Sequence, residues 1–193
     1  MKAEDKNGFL SLRRIFSPHS GIKSMKKLLK WAGISIVSIV VFVGIFLFSM
    51  RFHDGPLEII SGGPFTSGVP TPAPDDWSFL IDRAQIEFQT MNPATSRTVW
   101  LGVNDRRLFL VSGYMTTGYG SIWKQWPHYL EDDDRIILRI DGLLYEQRLQ
   151  RVMEGPNILP VLNEFSRKYG DNLGASTSQV TEGHTWMYEV VDR

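Results

Sequence analysis

Hydrophobic positions fall into three regimes along the chain. Residues 32–50 form a run of 19 without a charge, and 12 of them are Ile, Val, Leu or Phe. A helix over that run reaches ~28 Å at ~1.5 Å per residue, close to the ~30 Å hydrocarbon core of a bilayer. A buried core helix would show a polar face, and none interrupts the run. A cleaved leader needs small residues before the cut, whereas Ser49-Met50-Arg51-Phe52 is bulky. The pattern therefore predicts an uncleaved single-pass helix over residues 31–51. Residues 52–76 follow as a linker: nine of the 24 residues in 53–76 are Gly or Pro. Pro70-Thr71-Pro72-Ala73-Pro74 predicts an extended, stiff spacer.

Beyond Trp77 the period becomes two. Ile86, Phe88 and Thr90 alternate with Glu87 and Gln89, predicting a strand from about Ala84. A second strand is expected over residues 97–103. Asn104-Asp105-Arg106 marks a hairpin, with Arg107-Leu108-Phe109-Leu110-Val111 returning antiparallel. The Gly-rich stretch 113–120 reads as a loop, residues 121–130 as a short helix or turn, and Glu131-Asp132-Asp133-Asp134 as an acidic turn. Residues 135–140 and 143–152 pair about an Asp141-Gly142 hairpin, and 186–190 close the sheet. Between them Ile158, Val161, Leu162 and Phe165 fall at helical spacing, with Asn157 as N-cap and Gly170 as stop. The fold class that results is mainly β (α+β). It is a six-stranded antiparallel β-barrel with short helices over residues 77–193, preceded by one transmembrane helix.

Charge adds an orientation. The 193 residues carry 21 bases and 21 acids, but residues 1–30 hold eight bases against two acids, so a basic cytoplasmic tail is expected there. The positive-inside rule then puts the N-terminus in the cytoplasm and the C-terminal domain outside, across a bacterial-type inner membrane. Membrane lipid is thus an expected partner. The zero net charge gives no case for nucleic acid. The absence of cysteine excludes a disulfide scaffold, thiolate metal sites and cysteine nucleophiles.

Ser96-Arg97-Thr98-Val99-Trp100 opening a strand, Ser112-Gly113 ending its hairpin partner, Trp123-Lys124-Gln125-Trp126-Pro127 before the next strand, Asp141-Gly142, Tyr145 and Arg167-Lys168-Tyr169-Gly170 stand in a telling order. In that order the region 86–170 resembles the flavin-binding split-barrel superfamily. It is most similar to the deazaflavin-dependent nitroreductase and quinone reductase branch, related to pyridoxamine-phosphate oxidases. The resemblance implies an FMN or deazaflavin cofactor and often a homodimer. By position it implies cofactor contacts from Arg97, Thr98 and Trp100 on one strand, Ser112 on its partner, and Trp123 and Lys124 near the phosphate. A phosphate favours Arg or Lys with hydroxyl donors, and a flat ring favours Trp. The chain differs from the branch at Met91-Asn92-Pro93-Ala94-Thr95, where the branch has a basic, glycine-rich turn, and at Trp126, where it has asparagine.

The same residues have plainer readings. Arg97 pairs equally well with an acid such as Asp82, and Trp123 and Trp126 with the barrel as packing. Arg106 and Arg107 are expected in solvent. Ser61-Gly62-Gly63-Pro64 reads as an anion nest or as an ordinary turn. No metal site is expected: the acidic turn lacks the alternation of a calcium loop, and a haem-ligating His128 is a minor alternative. No catalytic residue is assigned. Two functions follow. One is a membrane-tethered flavin or deazaflavin oxidoreductase acting on a quinone or nitro-type acceptor, with a membrane electron donor. The other is a non-catalytic binding or assembly module without the cofactor.

Overall fold

A computed structural model describes residues 19–170 and 176–193. The basic tail before His19 lies outside the described residues, so only its last part is seen. The chain divides into two units between Leu47 and Phe48. In the first, helix α1 (His19–Ser49) contains a stretch long and apolar enough to cross a membrane.

The second unit is a barrel. Its strands are β1 (Val69–Pro70), β2 (Gln85–Met91), β3 (Ala94–Asn104), β4 (Arg107–Ser112), β5 (Arg135–Ile140), β6 (Leu143–Val152) and β7 (Trp186–Asp192). They run in the order β1-β6-β5-β2-β3-β4-β7, and a further β6–β7 pairing closes six antiparallel strands into a ring. The seventh, β1, pairs with β6 in parallel. The strand expectations of the sequence hold, with β3 three residues longer at its start. Asp105 and Arg106 (φ 50° and 65°) and Asp141 and Gly142 (φ 52° and 78°) are both left-handed, as tight two-residue hairpins require.

The alternation of β3 and β4 builds two cores. Leu101, Val103, Leu108 and Leu110 point into the barrel with Phe88, Ile136, Leu138 and Leu149. Phe109 and Met187 point outward under helix α4 (Ile158–Tyr169), which covers them with Ile158, Val161, Leu162 and Phe165. Strand β4 is therefore apolar on both faces, which explains the unbroken Leu108-Phe109-Leu110 run. A short helix, α5 (Thr177–Thr181), which the sequence pattern did not announce, adds Val180 to this outer core. Asn157 precedes α4 but makes no side-chain cap; its Oδ1 accepts from Arg107 Nη2 at 2.8 Å. Arg107, expected in solvent, is drawn in further by Glu189 at 3.3 Å.

The expected spacer is not free. Gly62 and Ser96 exchange backbone hydrogen bonds of 2.9 and 3.1 Å. Asp54 meets Arg139 at 2.8 Å, and the Phe65 N–H donates to Gln89 Oε1 at 2.6 Å. Residues 53–71 thus form a strap held on the barrel. Its Gly62 and Gly63 N–H groups are spent on Ser96 and His53 carbonyls, so the turn is no anion nest.

Candidate functional site

Side chains on adjacent strand residues point to opposite faces. This divides the six residues expected to hold a cofactor. Arg97 shares the inward face of β3 with Val99 and Leu101, and stands in register with fully buried Phe88. Thr98 and Trp100 lie on the outward face. Trp100 is stacked on Tyr169 of α4, with ring centroids 4.7 Å apart and planes 10° from parallel. Thr98 lines an outer groove of about 700 Å³ together with Asp54, Glu87 and Arg139. In that groove Arg139 is neutralised by Glu87 at 2.6 Å and Asp54 at 2.8 Å and lies over the Phe65 ring at 4.2 Å. Its fork is committed to carboxylates, and Arg83 on the same groove pairs with Asp141 at 2.5 Å, so among the described residues the groove offers a phosphate no unpaired arginine.

Helix α3 (Trp126–Asp132) begins with Trp126-Pro127, the proline fitting the first turn where no N–H is needed. Trp126 closes over Phe88 (5.0 Å) and Tyr188 (5.5 Å). Trp126 is thus a packing residue. Arg97 has Tyr129 of this helix as its electrostatic neighbour and, among the described residues, no carboxylate partner; its Nε is buried without a hydrogen-bond partner. Burial pushes the guanidinium down to about 10. Asp82, the acid that sequence reading offered as its partner, pairs instead with Arg167 at 3.5 Å. Lys124, at the C-terminal end of helix α2 (Gly118–Trp123), is also lowered by burial and lies 6.0 Å from the Tyr114 ring. Among the described residues it has no carboxylate partner. The Trp123 side chain lies outside the described ones. Ser112 is buried on the inward face, in register with Trp186, and its hydroxyl donates to Met115 Sδ at 3.3 Å.

Sequence reading passed over the neighbours of this end. A cavity of about 330 Å³ opens beside α3, lined by Pro127, Leu130, Arg148, Arg151, Trp186 and Tyr188 among others. The Arg151 guanidinium sits 3.7 Å over the Trp186 ring, and His128 meets that ring edge-on at 5.1 Å. An Arg at Tyr188's register position on β6 and a Trp opening β7 were the available signals. The acidic stretch is consumed by arginines: Asp133 by Arg135 and Asp134 by Arg148, each at 2.6 Å. Among the described residues no cluster of His, Asp or Glu could hold a metal ion.

These residues fit the phosphate of a flavin-type group but not its ring. Arg97 and Lys124 are partly buried cations without a carboxylate partner among the described residues, the residue types that a phosphate takes. Trp100, the expected ring platform, is on the opposite face and already stacked. The order and closure of the strands define the unit as a six-stranded split barrel. No known family model and no curated protein matches the chain. Among solved structures it is similar to the heme storage protein HutZ from Vibrio cholerae, at 8% identity over 60% of this chain and 86% of that one, with a TM-score of 0.43. It is similar to a conserved hypothetical protein from Mycobacterium tuberculosis, at 14% identity over 64% and 86%, with a TM-score of 0.40. It is similar too to an FAD-binding protein from Mesorhizobium loti, at 7% identity over 60% and 86%, with a TM-score of 0.32.

Proposed function

We propose that this is a membrane-anchored split barrel that binds a phosphate-bearing ligand of the FMN or deazaflavin class at the barrel end under α3. The observation that carries the reading is Arg97: a largely buried guanidinium in register with Phe88 and close to Tyr129 of α3, with its Nε unpartnered and no acid paired with it among the described residues. A buried charge of this kind is costly unless paired, and an anion is the partner that restores the balance. The flavin class comes from the resemblance of residues 86–170. In its finer form the protein is an oxidoreductase on a quinone or nitro-type acceptor, with electrons from the membrane and a second copy of the chain in the assembly. The apolar stretch of α1 supports the anchor, and the Lys23, Lys26, Lys27 and Lys30 flank supports a cytoplasmic N-terminus.

A second reading is the non-catalytic module. It is favoured by the outward face: the strap covers part of it, and Trp100 and Arg139 are committed to protein partners. Titrating the detergent-solubilised full chain with FMN and with a deazaflavin mononucleotide, followed by flavin fluorescence, separates the two. Saturable binding that weakens about 10–100-fold in Arg97→Ala, the loss of one charge-assisted contact, upholds the first. No binding of either flavin refutes it and leaves the second.

A further inference from the structure

The strap carries a feature that neither its fold nor the barrel uses. Residues 57–60 form a two-residue turn, with Leu57 and Ile60 exchanging backbone hydrogen bonds of 3.0 and 2.8 Å. Turn tips favour Gly, Asn, Asp or Pro. This one has Glu58 (φ 51°) followed by Ile59, whose side chain is 84% exposed. Leu57 beside it is 44% exposed, and Phe52, just before the strap, 76%. A single exposed apolar residue means nothing, but three within eight positions are a local concentration that water disfavours.

The base of the turn is rigid. Asp54 bridges Gly63, His53 Nδ1 and the Gly55 carbonyl are 2.9 Å apart, and Ser96 Oγ donates to the Gly63 carbonyl at 2.6 Å. The tip is therefore presented rather than loose. Its place in the chain says to what. Ile59 stands seven residues beyond Phe52, where the apolar stretch ends, so at ~3.3–3.6 Å per residue it cannot lie more than ~25 Å from the end of that stretch. The headgroup and interfacial layers add only ~5–8 Å on each side of the hydrocarbon core.

We propose that the Leu57-Ile59 tip, with Phe52, inserts into the lipid interface as a second, monotopic anchor that holds the barrel against the bilayer. The inference rests on the reading of α1 as a membrane anchor. The occupant is a lipid surface because the exposed tip is apolar, small and continuous in sequence with the membrane-crossing stretch. Glu58 keeps the insertion shallow, since its carboxylate stays hydrated.

The chain has no cysteine, so single labels are clean. The full-length protein is placed in phosphatidylcholine–phosphatidylglycerol vesicles with an environment-sensitive fluorophore on Ile59→Cys. Leu57→Cys is the second tip reporter, Val43→Cys reports α1, and Leu159→Cys reports an exposed residue of α4. Lipids with nitroxides at graded depths then locate each label. The tip labels are expected to be blue-shifted and quenched most by nitroxides about 5–10 Å into the headgroup–acyl boundary, where interfacial side chains sit. The label at 43 should be quenched by deep nitroxides, and that at 159 by none. If 43 is quenched and both tip labels behave like 159, the second anchor is wrong and the first stands. If 43 is not quenched either, both fall. Tip labels that shift with protein density but ignore nitroxides assign the patch to a second copy of the chain and overturn the proposal.

Discussion

Removing one oxygen atom, by Tyr169→Phe, tests how α4 is fastened to the barrel. Strand β2 begins at Gln85, opposite Trp100, so the next rung would join Ala84 to Leu101. The Tyr169 hydroxyl occupies that rung. It accepts from the Leu101 N–H at 3.1 Å and shares its proton between the carbonyls of Ala84 at 2.6 Å and Leu101 at 2.9 Å. Phenylalanine keeps the ring on Trp100 but leaves a backbone donor and acceptors unpaired, which costs about 1–3 kcal/mol. For a chain of this size that lowers Tm by roughly 2–12 °C. The assay is thermal unfolding of the full chain in mild detergent, with hydrogen exchange at the Leu101 amide as the local readout. Burial raises the Tyr169 hydroxyl above its ordinary value of 10.0, so the folded state favours the neutral form. The stability it adds is complete below that value and is lost as pH rises through the raised one. The gap between wild type and variant should therefore narrow at high alkalinity. An unchanged Tm together with unchanged exchange at Leu101 would refute the rung.

Other consequences follow from the same geometry. A methyl at Gly102 would stand 2.6 Å from Phe165 Cε2, against a ring that is 1% exposed, so Gly102→Ala should cost about 1–3 kcal/mol in thermal unfolding. Phe165→Leu, made in that background, should recover part of the loss, and strictly additive effects would contradict the contact. Asp54 is held at about 2 by the Ser67 hydroxyl, the Thr66 N–H and Arg139, so the strap gains stability that is present above pH 3.8 and fades as pH falls toward about 2. Asp54→Asn should raise hydrogen exchange at Phe65 and Thr66 at neutral pH, and an equal rate in both proteins would show that the strap is held otherwise.

The barrel was legible because its strands alternate and its hairpins carry Asp-Arg and Asp-Gly at the left-handed positions. Helix α4 was legible because four apolar residues fall on one face. The strap was not. Its Gly and Pro content reads as a spacer, and what orders it is Ser96, Arg139 and Leu143, residues from 33 to 85 positions away in the bonds they make, which no local pattern reveals. Helix α5 has five residues, too short for a period to show. The site was half legible. The expectation that Arg97, Thr98 and Trp100 grip one ligand ignored the alternation that had located their strand: neighbours on β3 face opposite ways. Trp100 found a ring, but it belongs to Tyr169. Arg97 lies on the inward face, without a carboxylate partner among the described residues.

Arg97→Met tests most directly whether this unpartnered guanidinium is the seat of an anion. Thermal unfolding of the full chain is measured for both proteins, alone and with saturating FMN or deazaflavin mononucleotide. Replacing an uncompensated, largely buried cation with an apolar side chain of similar length should leave the ligand-free protein as stable or raise its Tm by a few degrees, about 2–4 °C per kcal/mol. The same change should abolish the upward shift that the ligand gives the wild type. A variant that unfolds earlier without ligand, yet gains as much from it as the wild type, would contradict the assignment of Arg97 as the anion's partner.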